Sequence, residues 1–191
     1  MILFSGLVFG LIVGALCKGN FFRLSTLKGL WFAILPLALN PILRFYPGIS
    51  FWPKAFVISG IYLFILLFVY SNREYKVSSI FLGLGTLSNY IVIAANNFRM
   101  PVSIKALTVF NVTAESVYLK RPDYFVAEHG ANLLFLGDII YFPVPKFNGF
   151  ISVGDIILAI GMFLLIVTVM TKKSAGQEEP NEDNETNPSK A

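Results

Sequence analysis

Residues 51–71 read FWPKAFVISGIYLFILLFVYS, a stretch that is almost wholly apolar after Gly60. An α-helix needs about 20 apolar residues to cross the roughly 30 Å hydrocarbon core of a bilayer. Trp52, Tyr62 and Tyr70 have side chains that favour the membrane–water interfaces. The stretch therefore predicts a membrane-spanning helix.

The composition of the whole chain favours the same class of protein. Of the 191 residues, 55% are hydrophobic and 14% are charged, whereas a soluble domain carries about 25% charged residues. We expect an all-α membrane protein with about five transmembrane helices. Residues 1–171 would form a single polytopic membrane domain, and residues 172–191 a disordered, polar, acidic tail.

Four further apolar segments predict the remaining helices. They are Ile2–Cys17, Gly29–Leu43, Val77–Ala95 and Ile151–Met170. The second of them contains Pro36, Asn40 and Pro41, which interrupt helical hydrogen bonding. Such breaks persist in a membrane where neighbours satisfy the freed carbonyls. A kinked span and a re-entrant segment are both open for this stretch.

Glycines at helical spacing predict close packing between helices. Gly6, Gly10 and Gly14 recur every four residues and so share one helix face. Small residues on such a face let a second helix approach closely inside a membrane. Gly83 and Gly85 suggest the same for the fourth apolar segment.

The region from Asn96 to Phe150 is too apolar for disorder and too broken for a span. Loops of this length are uncommon unless they are functional. We expect a long, partly membrane-associated loop before the last helix.

Basic residues predict the orientation of the chain. With five crossings, most of those that flank the spans fall on one side: Lys18, Arg23, Lys28, Arg73, Lys76, Lys172 and Lys173. The positive-inside rule makes that side cytoplasmic. The protein is thus expected in the cell membrane, with its N-terminus outside and its tail in the cytoplasm.

This pattern of charge also limits the partners. Basic residues beside apolar segments indicate topology rather than binding of nucleic acid, which we do not expect. The lipid bilayer is the expected partner, a membrane-protein partner or oligomer stays open, and no cofactor is predicted.

The predicted outer side carries four candidate binding residues, Asn96, Asn97, Arg99 and His129. His129 is the only histidine, so a metal site with several imidazoles is excluded and no metal is predicted. We interpret His129 as a surface histidine, and weak metal binding by this one histidine with Glu128, Asp138 or Asp155 is the alternative. Arg99 could contact a lipid phosphate, pair with an acidic residue, or extend to the interface as an ordinary arginine.

Asp138 and Asp155 are candidate catalytic residues. Asp155 lies one turn inside the last predicted helix, where an ionisable side chain is costly and suggests a function. Ser152 and Asp155 also have the spacing of a capping box, which stabilises a helix start. Asp138 follows Gly137 and is also interpreted as a turn residue.

Three stretches carry a resemblance to a known family. They are NYIVIAANNFRMPVS (residues 89–103), Leu136-Gly137-Asp138 and Ser152-Val153-Gly154-Asp155. The chain resembles an uncharacterised bacterial membrane family, domain of unknown function 5317, over nearly everything except the tail. The resemblance implies an organisation but no activity.

A second resemblance covers Phe147–Ile166, which is similar to the closing segment of lipoprotein signal peptidase. Asp155 would match one of the two catalytic aspartates of that family. The segment Leu87–Val92 has the expected asparagine but lacks the second acid. Since an aspartic mechanism needs two carboxylates, Asp138 would have to supply the other.

Three functions follow from these features. The favoured one is a non-enzymatic membrane protein that binds a partner, a lipid head group or a small solute through its outward polar loop. A membrane-embedded aspartic hydrolase using Asp138 and Asp155 is the first alternative. A small transporter component is the second, and it would need a polar path through Asn40 and Asn89.

Overall fold

The computed structural model describes residues 2–45, 50–120, 124–127, 130–142 and 149–172. The α-helices in this part of the chain are α1 (Ile2–Leu16), α2 (Leu30–Phe45), α3 (Phe51–Ser71), α4 (Lys76–Ala94), α5 (Ile104–Val109), α6 (Ala114–Lys120) and α7 (Val153–Thr171). Residues 173–191 of the predicted tail lie outside the described residues, as does the candidate His129.

The long helices match the predicted apolar segments. The bounds of α3 are those expected, and the bounds of α1, α2, α4 and α7 differ from the predicted ones by at most two residues. In the described chain, α3, α4 and α7 are long and apolar enough to cross a membrane, whereas α1 and α2 contain shorter apolar stretches. The helices are thus confirmed, and the count of five crossings stays a prediction.

The five long helices form a row in the order α2, α3, α4, α7, α1. Ser59 of α3 meets Tyr90 of α4, and Asn89 of α4 meets Asp155 of α7, so each of these pairs is antiparallel. The α2–α3 pair is antiparallel as well, because Phe32 stacks on Phe64 while Gly29, just before α2, lies beside Ser71. Helix α1 runs parallel to α7.

The glycine face of α1 makes that parallel contact. A Cβ on Gly6 would collide with the backbone oxygen of Ala159, and one on Gly10 would lie 2.9 Å from the Cβ of Ile166. On Gly14 it would lie 2.6 Å from a side-chain sulfur of α7. The predicted close approach is therefore confirmed for all three glycines.

The fourth apolar segment behaves differently at its two glycines. A Cβ on Gly85 would lie 2.7 Å from the backbone oxygen of Gly154, so this glycine does allow close packing of α4 on α7. At Gly83 the nearest atom, on Val69, is 3.9 Å away. A Cβ there would make only an ordinary contact with the described residues, so the close packing predicted for Gly83 is wrong.

The described basic residues that predicted the orientation lie at one end of the helix row. We call this end, which consists of residues 17–30, 71–76 and 170–172, the basic end. Asn72, which is buried there, was missed from the sequence. Its amide donates to the backbone oxygens of Lys28 (2.8 Å) and Phe68 (2.9 Å), and it accepts the Lys28 N–H. A hydrogen bond from the Lys28 ammonium lowers the pKa of Glu74. Through its bonds to Lys28, Asn72 links the connection between α3 and α4 to the connection between α1 and α2.

The segment between α4 and α7 folds into a unit that we call the cap, the described residues from 95 to 152. Its strands are β1 (Met100–Ser103), β2 (Tyr124–Ala127), β3 (Ile140–Phe142) and β4 (Gly149–Ile151). Strands β1 and β2 pair in parallel, and β3 and β4 pair antiparallel. Val102, Leu107, Val117 and Val126 form a small core.

The cap corrects the expected fold class. The protein is mostly helical, but these four short strands mean that it is not all-α. The expected loop is also a folded unit with a core of its own. Strands of three or four residues are too short to show a period-two pattern, so the sequence alone did not reveal them.

The glycine contacts between α1 and α7 generate a matched test. We expect Gly6→Ala to destabilise the protein by about 1–3 kcal/mol, because the methyl group overpacks the interface. Thermal unfolding in detergent measures the change. The control is Gly60→Ala in α3, where a Cβ meets nothing within 4 Å. Equal melting temperatures for the two variants would contradict the close approach.

Candidate functional site

A hydrogen-bonded junction joins α4 to the first turn of α7. The buried Asn89 side chain donates from Nδ2 to Asp155 Oδ1 (2.7 Å), and its Oδ1 accepts from the Ser152 hydroxyl (2.8 Å). A Cβ on Gly154 would collide with the side-chain oxygen of Asn89. The Asn89 side chain therefore packs directly against the first turn of α7, and at position 154 only glycine leaves room for it.

Ser152 and Asp155 form the predicted capping box. The Asp155 N–H donates to the Ser152 hydroxyl oxygen (2.9 Å), and the Ser152 N–H donates to Asp155 Oδ2 (3.4 Å). Each carboxylate oxygen of Asp155 therefore accepts a hydrogen bond at the helix start. This geometry confirms the capping interpretation, and a catalytic role for Asp155 stays a prediction.

Asp138 lies in the cap and is fully buried. Its N–H donates to the Pro101 oxygen (2.9 Å) and its backbone oxygen accepts from Ser103 (3.4 Å), which makes a parallel bridge beside β1. A simple turn residue would not be buried in this way. Asp138 precedes β3 by two residues and Asp155 follows β4 by four, and the pairing of these strands places Ile140 opposite Ile151. Joint action of the two aspartates on one water stays a prediction.

A cavity of about 880 Å³ opens where the cap meets the ends of α3 and α4. Its described lining consists of Phe51, Lys54, Ala95, Asn96, Asn97, Arg99, Phe125, Gly130, Ala131 and Asn132. The structure thus brings together Asn96, Asn97 and Arg99, three of the four predicted binding residues. His129 lies outside the described residues, next to Gly130 of the lining. The volume suits a small-molecule ligand.

The side chain of Asn96 stabilises one wall of this cavity through hydrogen bonds. Its Nδ2 donates to the backbone oxygens of Val92 and Asn132, each at 2.7 Å, and its Oδ1 accepts the Asn132 N–H. Asn132 in turn donates from Nδ2 to the backbone oxygen of Ala95 (2.8 Å). Because both polar atoms of its amide are engaged with the protein, Asn96 positions the wall rather than offering free donors to a ligand.

The next two residues form a strained turn. Asn97 and Phe98 have φ values of 55° and 54°, a left-handed conformation that residues with a Cβ rarely adopt. The Phe98 ring meets the Phe51 ring edge-on at 5.7 Å, which anchors the turn on the start of α3. The chain therefore reverses sharply after α4 and leaves the exposed Asn97 and Arg99 at the cavity.

Sequence reasoning missed Lys54 as a site residue. It lies in the first turn of α3 and is only 9% exposed. A lysine one turn inside the clearest apolar segment was the available signal, because such a charge must face protein, water or an interface. Lys54 and Arg99 give the described lining two positive charges, and no acidic residue is part of that lining.

The described residues offer no set of three or more His, Cys, Asp or Glu side chains that could hold a metal ion. The transporter interpretation also gains no support. Both polar atoms of the Asn89 side chain are bonded to the start of α7. The side chain of Asn40 lies outside the described residues.

The fold and the candidate site together define a class of protein. It is a mostly helical protein with apolar helices compatible with a membrane location, and a cap that borders a polar cavity. The chain belongs to a family of unknown function, DUF5317, which matches residues 24–167. That range includes α2, α3, α4, the cap and most of α7, and it confirms the first resemblance.

The other comparisons add no relative. No curated protein and no solved structure shows a significant match to the chain. The resemblance of the last third to lipoprotein signal peptidase therefore receives no support.

The junction between α4 and α7 predicts energetic coupling. Asp155→Ala should cost about 0.5–2 kcal/mol, because the helix cap is lost. Asn89→Ala should remove much of the same interaction. The double variant should therefore lose less free energy of unfolding than the two single variants lose together, and the difference, the coupling energy, should be about 0.5–3 kcal/mol. Thermal unfolding in detergent measures all three variants. Ser116→Ala, at a partly exposed hydroxyl in α6, is the control, and strictly additive effects would refute the coupling.

Proposed function

We propose that this protein is a multi-pass membrane protein that binds a small solute or lipid head group in the cavity beneath its cap. The observation that carries the proposal is the convergence of Asn97, Arg99 and Lys54 on one cavity of about 880 Å³. Concave sites of this size, with a few polar groups among apolar ones, are typical of ligand binding. The aromatic rings of Phe51 and Phe125 supply the apolar part.

The arrangement of helices supports five crossings of the cell membrane. Helices α1, α3 and α7 run in one direction and α2 and α4 in the other, as five successive crossings require. The basic end then lies in the cytoplasm and the cap outside, by the positive-inside rule. The exposed apolar side chains of α1 and α2, such as Phe9 and Trp31, are assigned to contact with lipid rather than with a protein partner.

The proposed orientation has a direct test that uses the single cysteine. Cys17 is exposed at the basic end, so a membrane-impermeant maleimide should label it only after intact cells are permeabilised. In a Cys17→Ser background, Glu115→Cys places a thiol on the exposed surface of the cap, and this thiol should react in intact cells. The reverse pattern would invert the topology, and labelling of both thiols in intact cells would exclude the spanning arrangement.

Narrowing the cavity should displace its ligand. We expect Ala131→Trp to obstruct binding, because Ala131 is part of the lining and a bulky ring there reduces the space for a ligand. Mass spectrometry of molecules extracted from the purified protein should find a species at near-equal molar ratio in the wild type and not in this variant. Ala15→Trp on the exposed face of α1 is the control and should keep the species. If wild type and Ala131→Trp carry the same molecules, the cavity is not a binding site.

A further inference from the structure

We infer that the basic end binds anionic phospholipids of the cytoplasmic leaflet, with Phe21 and Phe22 inserted at the boundary between their head groups and acyl chains. The inference rests on the proposed spanning arrangement and adds an interaction surface to it. This surface lies at the opposite end of the helix row from the cavity, so the two proposals do not share a residue.

The apolar part of the surface is a short 3₁₀ helix between α1 and α2. It consists of Phe21–Thr26, and we call it the connecting helix. Phe21 is 60% exposed and Phe22 is 84% exposed. Water disfavours contact with apolar surface of this kind. The two adjacent rings therefore favour an apolar partner outside the described chain.

Contacts with α7 set the depth of the connecting helix. The N–H of Asn20, which precedes it, donates to the backbone oxygen of Met170 (2.9 Å). Leu24 packs against the core cluster that contains Leu165 and Val169. These three residues of α7 belong to the last turns of a helix long and apolar enough to cross a membrane. In the spanning arrangement the connecting helix thus lies where hydrocarbon meets head groups, the depth at which apolar faces of interfacial helices insert.

The charges around the connecting helix favour an anionic membrane surface. The described residues of the basic end include six basic side chains and one acidic one. The acidic residue, Glu74, is already paired with Lys28 at 3.0 Å. Basic residues beside a membrane attract anionic lipid head groups. The other exposed basic residues are Lys18, Arg73, Lys76 and Lys172.

Close packing brings two of these lysines near the exposed rings. A Cβ on Gly19 would lie 2.9 Å from the Cβ of Met170, so the residue after Lys18 touches the last turn of α7. Met170 precedes Lys172 by two residues, and Lys18 precedes Phe21 by three. Ammonium groups that can meet a phosphate therefore border aromatic rings that can meet an acyl chain, which is the pairing that a membrane surface requires.

The tail of this chain is the other candidate for the same lysines. Residues 173–191 lie outside the described residues and carry five acidic side chains. They contain no aromatic or large aliphatic residue, so they offer no partner for Phe21 and Phe22. An anionic bilayer supplies both the negative charge and the apolar environment, and it is the occupant that fits the whole surface.

The test is tryptophan quenching in the full-length protein, reconstituted into bilayers of phosphatidylcholine and phosphatidylglycerol. Trp31→Phe and Trp52→Phe remove both native tryptophans, and Phe22→Trp places one reporter in the connecting helix. Brominated acyl chains quench a tryptophan only on contact. We expect quenching when either lipid is brominated, and stronger quenching, at equal mole fraction, when it is the anionic phosphatidylglycerol. Acrylamide dissolved in the water should quench weakly.

Charge variants in the same background assign the surface. Lys18→Gln and Lys172→Gln should each reduce the preference for phosphatidylglycerol about twofold to fivefold, because each removes one attractive charge. Lys105→Gln, an exposed lysine of the cap, is the matched control and should leave the preference unchanged. The preference should also fall at high salt, because the attraction is between charges.

Three outcomes overturn the inference. They are equal quenching by the two lipids, no effect of Lys18→Gln and Lys172→Gln, and a reporter that acrylamide quenches and neither lipid does. A preference that appears only after truncation behind Lys173 overturns it as well, because the tail then occupies the lysines of the full chain. Stronger quenching by phosphatidylglycerol that depends on both lysines supports it.

Failure of this inference is distinguishable from failure of the proposed function. Both leaflets of the test bilayer have the same composition, so the quenching does not depend on which end of the protein faces the cytoplasm. An inverted orientation would appear only in the maleimide labelling. The absence of a cavity ligand would appear only in the comparison with Ala131→Trp.

Discussion

The junction of Asn89 with the start of α7 is the interaction on which the rest of the structure depends. The first backbone N–H groups of a helix have no partner within the helix, and in a low-dielectric setting an unsatisfied polar group is costly. The capping box of Ser152 and Asp155 satisfies this end from within α7, and Asn89 bonds to both residues from α4. The junction therefore fixes both the register of α7 against α4 and the point where the cap ends.

Close packing transmits that register to the remaining helices. Gly85 and Gly154 let α4 and α7 approach, and α7 in turn receives the glycine face of α1. Lipid provides no hydrophobic force between helices, so contact between backbones and van der Waals packing carry more of the association. A shift of α7 by one turn would remove each glycine from its partner, which explains how local hydrogen bonds can set the position of α1 at the far side of the row.

The cap is positioned by the same two helices that it connects. It leaves α4 through the strained turn at Asn97 and Phe98 and returns to α7 at Ser152. Phe98 of the cap packs on Phe51 of α3, and Asn96 bonds to Asn132. The described walls of the cavity therefore come from α3 and from the cap together. The proposed site thus exists only when the bundle and the cap are both folded.

The sequence by itself determined the features that are local. Runs of apolar residues predicted the long helices, the spacing of Gly6, Gly10 and Gly14 predicted a packing face, and the four residues from Ser152 predicted the helix cap. Each rests on residues within a few turns of one another, where periodicity and helix geometry decide the outcome. The common location of Asn96, Asn97 and Arg99 at the cavity has the same origin, since they lie in one short polar stretch.

The tertiary structure alone decided the features that depend on residues distant in sequence. The bonds of Asn72 to Lys28 span 44 positions, and the bond of Asn89 to Asp155 spans 66. The strands of the cap, the burial of Asp138 and the place of Lys54 in the cavity are of the same kind. Gly83 and Gly85 look alike in sequence, yet only Gly85 faces a neighbouring helix at short range. Local patterns indicate which residues can pack or bind, whereas the packing of the whole chain decides which of them meet.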